Sequence, residues 1–307
     1  MFFCFHLSYF SITFCFLKTI DKKNQNFYNN CMETQILEHQ IKEKEINLDF
    51  LSEMPQKVES AESFDWVSQE TLVLIVKAKD FVLPSFQLCG KSLVDWVALA
   101  TSGCEQKVLE EFDEENIIEE LKPFAENYNY VAVFFSDTPL LKHDTFLDVM
   151  HYFAKNRLNV LKLPRGYVFK SEFLQSAKIL LSTSTFESFG KDDFLIMNSA
   201  EKISYAFNVL NARILDYHKS NGVVLLGENT IFIDADVEIE SGAIIYANNI
   251  LKGETYIGKN VILDSGNHII DTIVCDEAFI RESFLERSKV EVGKIVGPFE
   301  KLINKKI

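Results

Sequence analysis

From Ile233 onward, aliphatic residues recur at every sixth position: Ile233, Ile239, Ile245, Leu251, Ile257, Leu263 and Ile269. Four residues beyond the first six stand Val237, Ala243, Asn249, Thr255, Val261 and Asn267, most of them small. A helix repeats near 3.6 residues and a strand at two, so neither explains a period of six. A hexapeptide repeat predicts a triangular parallel β-helix, with one aliphatic side chain pointing inward per side. An antiparallel sheet with coincident isoleucines is the alternative, and seven successive matches weigh against it. The register slips around residues 270–283 and returns at Phe284, Val290 and Val296, giving about four coils over 223–307.

Upstream the pattern differs. TLVLIV (71–76) and VAVFF (131–135) are continuous apolar runs of buried-strand length, and GYVFK (166–170) and DFLIM (193–197) add two strand-like pieces. CGKSLVDWVALA (89–100) reads as a turn leading into a helix. The acidic stretch from Glu105 to Tyr130 reads as a solvated helix face over Val108, Phe112, Ile117, Ile118 and Leu121. Asp144 is placed to cap a helix with Leu147, Met150 and Phe153 inward. A long helix over 199–222 carries the stripe Ile203, Phe207, Leu210, Ile214 and Tyr217, and Gly222 ends it. Strand, helix, strand, helix is α/β order. Residues 32–70 read as an N-terminal arm: a thin surface helix, then a polar linker.

The first seventeen residues, MFFCFHLSYFSITFCFL, fall short of the roughly 20 apolar residues of a spanning helix. Lysines follow the run instead of preceding it, unlike a secretory signal. The expectation is that 1–31 is not part of the working protein and that translation starts at Met32, with a membrane anchor as the alternative.

Composition narrows the chemistry. The 307 residues are 47% hydrophobic and 25% charged, a globular profile long enough for two domains. A formal net charge of −14 argues against a nucleic-acid partner, which needs clustered Lys and Arg. Nucleotide binding stays open, because a few N–H groups and a cation suffice. Six scattered cysteines without a CxxC pair suit a reducing cytoplasm. The strand VAVFF ends at Ser136-Asp137-Thr138-Pro139. A carboxylate at the carboxyl end of a buried strand could hold a metal or a phosphate, and Asp and Pro are equally ordinary turn residues.

FFSDTPLL (134–141), the helix NSAEKISYAFNVLNARILDYHKSNGVVLL (198–226) and the hexads from Thr230 through VGPF together resemble the bacterial bifunctional N-acetylglucosamine-1-phosphate uridyltransferase/glucosamine-1-phosphate acetyltransferase family. The resemblance is specific from about residue 195 onward, thinner over 121–150 and weak before that. It implies a reduced nucleotidyltransferase (Rossmann-like) domain over 71–198, a linker helix, and a short left-handed β-helix that forms homotrimers or joins a full-length relative. It also implies a sugar-nucleotide ligand and a Mg²⁺ cofactor held by Asp137. The second metal ligand of the family falls on the Asn198-Ser199 pair, where serine replaces the second asparagine. Arg165 and Gly166, in Pro164-Arg165-Gly166, align with a sugar-contacting turn, and Lys91 with a Gly-Lys turn entering a helix.

Several family parts are missing. After TLVLIV comes KAKDFVLPSF, which lacks the glycines of the phosphate-cradling loop, and Ser85 stands where the family has a lysine. The span from Lys91 to Asp137 is too short for the base-recognising segment. The acetyltransferase portion would lie beyond Ile307, so that activity is not expected. His143, His151, His218 and His268 match no catalytic position. The leading expectation is therefore a retained fold with lost transfer chemistry. The alternative is an active nucleotidyltransferase using Mg²⁺ at Asp137 and a replacement cation such as Lys77, Lys79 or Lys91.

Overall fold

A computed structural model describes residues 65–78, 86–178, 184–185, 189–190 and 192–307. The expectations for 1–31, for the helix of the N-terminal arm, for most of its polar linker, and for Lys79 and Ser85 lie outside them.

The two apolar runs form the parallel pair β1 (Thr71–Val76) and β5 (Tyr130–Phe135) at the heart of a mixed six-stranded sheet. The strand β4 (Glu105–Leu109) pairs with β1 in parallel. On the other side, β7 (Gly166–Lys170) runs antiparallel to β5, and β6 (Val160–Leu163) antiparallel to β7. A short β8 (Ser184–Thr185) closes the order β4-β1-β5-β7-β6-β8. Continuous burial of β1 and β5 follows from helices on both faces, the reason their sequence does not alternate. One face packs Val73, Ile75, Ala132 and Phe134 against Phe146, Met150 and Phe153 of the helix His143–Lys155. The other packs Leu74, Val131 and Val133 against Ile117, Ile118 and Leu121.

Several local expectations are corrected, beginning with the end of the polar linker, where Asp65–Glu70 is a helix with Val67 buried. The acidic stretch is not one helix, since Glu105–Leu109 is an edge strand and only Ile117–Leu121 is helical before a short 3₁₀ turn. At that edge Val108 turns outward and is 42% exposed, because only one side of β4 is paired. Residues 193–197 form a turn rather than a strand, with Leu195 N–H bonded to the Asp192 carbonyl and Asp193 buried. Asp144 lies inside the first helical turn, whose N-cap is Lys142.

The helix over 65–70 is α1, and α2 (Leu93–Ala100), α3 (Ile117–Leu121), α4 (His143–Lys155) and α5 (Ser171–Ser176) follow. The linker helix α6 (Ala200–Ser220) is N-capped by Ser199, whose hydroxyl accepts the Lys202 N–H, and ends before Gly222 at φ +85°. Its buried residues include Leu210, Asn211, Ile214, Leu215 and His218, while Tyr217 of the expected stripe faces water.

The hexads close into stacked coils. Strands β9 (Val224–Leu225) to β22 (Lys301–Ile303) build three parallel sheets of five, four and five strands. Six of the seven hexad aliphatics are buried, Ile239 only partly. From Phe232 on, strand pairing advances 18 residues per coil at first (Phe232↔Ile250, Ile250↔His268), then 17 or 16 (Ile262↔Phe279, His268↔Phe284). The lost residues come out of corners, where Asp271, Glu282 and Arg287 take left-handed φ of 46°, 43° and 45°. This shortening is the register slip, and its effect is to turn Leu285 inward in place of Phe284.

His218 and His268 both have pKa values pushed below the ordinary 6.5, first of all by desolvation. The unfolded chain therefore takes up protons that the folded one resists, so stability is lost as pH falls through about 6.5. Urea midpoints should be lower at about pH 5.5 than at about pH 7.5, and His218→Gln should flatten that difference.

Candidate functional site at the end of β5

Where β5 stops, the chain turns under local hydrogen bonds. The Ser136 N–H bonds the Val76 carbonyl, the Ser136 hydroxyl accepts the Ala78 N–H, and the Thr138 hydroxyl donates to the Phe135 carbonyl. These bonds satisfy the strand end and leave Asp137 in a turn, 8% exposed. Its carbonyl accepts the Met197 N–H at 2.8 Å, which brings the segment leading to Asn198 and α6 against the strand exit.

Arg165 meets Asp137 from the two-residue turn Pro164-Arg165 between β6 and β7. Antiparallel pairing sets Gly166 opposite Phe134, so the preceding residue falls beside the end of β5. Gly166 is required there: its φ is +142°, and a Cβ would lie 2.5 Å from the Val133 carbonyl oxygen. The Arg165 Nε donates to both Asp137 carboxylate oxygens at 3.2 Å, and Nη2 lies 3.1 Å from Oδ2. Nη1 reaches Glu114 Oε1 at 3.3 Å, and the guanidinium stacks 3.7 Å above the Phe135 ring.

The other residues singled out in the sequence have partners of their own. The Asn198 Oδ1 accepts from the Lys202 ammonium at 2.8 Å, and Ser199 serves as the helix cap. The Lys91 ammonium lies 2.6 Å from Asp236 Oδ1, at the contact between the hairpin β2 (Gln87–Leu88)–β3 (Lys91–Ser92) and the β-helix. Lys77 pairs with Glu110. Thus the fold brings Asp137, Arg165 and Asn198 into one neighbourhood through β5, β7 and the Met197 bond, while Lys91 is committed to the β-helix. Among the described residues, no three of His, Cys, Asp and Glu gather as a metal cluster.

Tested against a divalent cation, the donor set at Asp137 does not fit: the Arg165 guanidinium, a cation itself, sits on both carboxylate oxygens, and the Asn198 and Ser199 side-chain oxygens face the Lys202 ammonium and N–H. A buried carboxylate missed by sequence reasoning stands close in chain. Asp193 accepts the Thr145 hydroxyl and faces Lys142 at 3.5 Å and Arg213 at 3.6 Å. A separate cavity of about 440 Å³ between the hairpin, α6 and the first coils is lined by Phe207, Phe232, Asp234 and Lys252, and by none of the Asp137 neighbourhood.

No family model matches the chain. A 108-residue stretch is 37% identical to the bifunctional protein GlmU of Streptococcus suis, covering 35% of this chain and 24% of that protein. Over 113 residues it is 38% identical to GlmU of Streptococcus thermophilus, covering 37% and 23%. GlmU of Clostridium beijerinckii is 37% identical over 103 residues, covering 34% and 23%. About a third of this chain is homologous to GlmU. The chain spans about a quarter of the length of the GlmU relatives it matches, so neither function of a bifunctional GlmU passes to it by homology alone. Among the described residues, no helix is long and apolar enough to cross a membrane.

Proposed function

We propose that this protein keeps the framework of a GlmU-type sugar nucleotidyltransferase, has lost the transfer reaction, and works by assembling with copies of itself through the β-helix. One observation carries the reading. The outward positions of one β-helix sheet are Val224, Ile244, Ile262, Phe279 and Ile295, paired in register from coil to coil.

Outward positions of a solvated sheet are ordinarily polar, as the alternation of half-buried strands requires. Here an apolar column runs down one face, covered at Ile244, half-buried at Ile262 and Phe279, and open at Ile295, which is 48% exposed. Val292 and Phe299, 62% and 83% exposed, extend the apolar surface of the last coil. A column on one flat side of a three-sided rod fits the same column on other copies, in a closed ring about the rod axis. A homotrimer is the form expected of such a rod, with a full-length relative as the other partner of the same geometry. The loss of transfer is supported by the occupied oxygens of Asp137 and by the missing phosphate-cradling glycines after β1.

Sedimentation equilibrium of the full chain tests this reading. The wild type is expected above monomer mass at tens of micromolar, and Ile295→Glu with Phe279→Glu at monomer mass with its fold unchanged. A wild type that sediments as a monomer overturns it.

A further inference from the structure

The Asp137 neighbourhood holds a second message, independent of assembly. We propose that the Arg165 guanidinium is the resident cation of Asp137 and closes that carboxylate to divalent metal.

The geometry is that of a fixed ion pair. Both Asp137 oxygens accept the single Arg165 Nε–H at 3.2 Å, and the charged Nη2 lies 3.1 Å from Oδ2. A charge-assisted contact of this kind is stronger than a bond between neutral groups. The guanidinium is further held flat on the Phe135 ring at 3.7 Å, with Nη1 on Glu114. Its backbone is also fixed, because the turn that carries it leads into Gly166, whose close approach to Val133 admits no side chain.

A divalent ion at Asp137 would have to displace this group. Mg²⁺ asks for oxygen ligands at about 2.1 Å in octahedral geometry. Arg165 offers no oxygen, carries like charge, and cannot shed its proton to leave. The guanidinium also gathers two carboxylates, Asp137 and Glu114, toward one point. Removing it leaves two acidic side chains facing the same vacated volume, the hard-oxygen pair that a divalent cation takes. Arg165 is thus the device that keeps a potential metal site shut.

Mn²⁺ is the probe, read by the loss of its free electron-paramagnetic signal on addition of the full chain. Weak binding elsewhere on a chain of net charge −14 is removed by comparing each protein with its Asp137→Asn partner. Wild type and Asp137→Asn should bind Mn²⁺ alike. Arg165→Gln, and Arg165→Met, which keeps an unbranched side chain without the charge, should each gain a site that Asp137→Asn then abolishes. Wild-type binding that Asp137→Asn removes overturns the proposal, whatever the other variants do. So does a folded Arg165 variant that gains no Asp137-dependent site. Monomeric wild type in the sedimentation experiment leaves this inference standing, which keeps the two readings separable.

Discussion

Asp193→Ala should lower unfolding stability by about 3 kcal/mol, toward the lower end of the 3–5 kcal/mol typical of breaking a buried pair. Asp193 is 3% exposed and serves three partners: the Thr145 hydroxyl at the start of α4, Lys142, and Arg213 of the linker helix. Arg213 pays desolvation already, its pKa lowered first by burial, and without Asp193 it keeps the Leu140 carbonyl and the weaker charge of Asp192. The part-exposed Lys142 and Arg213 find water, which is why the upper end of the range is not reached. Asp193→Asn retains an acceptor for Thr145 and should cost about half as much. Urea denaturation measures both, and an alanine variant within about 1 kcal/mol of wild type would contradict the assignment. The residue matters to function because it ties α6 to the loop that follows Asp137.

Asn267→Leu should cost about 2–4 kcal/mol, from one orphaned donor and lost hydrogen bonds in a buried corner. Asn249 and Asn267 stack one coil apart, with Asn267 Nδ2 donating to Asn249 Oδ1 at 2.9 Å. Asn267 Oδ1 in turn accepts the buried Ser283 N–H at 3.0 Å. Most carbonyls nearby keep another donor: Ile280 still accepts from Asp264 N–H, and the Asp264 carbonyl still accepts from Asn249. The Ser283 N–H keeps none of these partners, so it supplies most of the loss. Leucine matches the size but cannot accept the bond. Thermal melting should show the loss at Asn267 and a smaller one for Thr272→Val, which orphans the Ser288 N–H but gives up two side-chain bonds where Asn267 gives up four.

Asn249 and Asn267 were legible in the sequence among the mostly small residues four places after each aliphatic, because coil geometry repeats and each position keeps its role. The inward aliphatics and the parallel core strands were legible for the same reason: burial selects residue type directly. The acidic stretch misled because charge density reads alike for an exposed helix and an exposed edge strand, and only pairing with β1 decides. DFLIM misled because its apolar residues are buried by a turn around Asp193 rather than by a ladder. Tyr217 misled because the buried stripe of α6 drifts onto Leu215 and His218 as the helix passes from the sheet to the coils.

The candidate site was legible in half. A carboxylate at the end of VAVFF was visible from pattern alone, and so was the turn around it; the structure has the turn and the carboxylate together. Its partner was not visible. Arg165, 28 residues away, was singled out only through its likeness to a sugar-contacting turn and not as a partner of Asp137. The signal that could have found it is the two-residue Pro164-Arg165 turn followed by a glycine, which announces a hairpin and would have set Arg165 beside the end of the neighbouring strand.

The central claim is that the framework persists without the transfer reaction. Pyrophosphate release by the full chain, with UTP, N-acetylglucosamine-1-phosphate and Mg²⁺, tests it most directly. The account predicts that wild type and Asp137→Ala release pyrophosphate at the same background rate. Wild-type turnover that Asp137→Ala abolishes would contradict it.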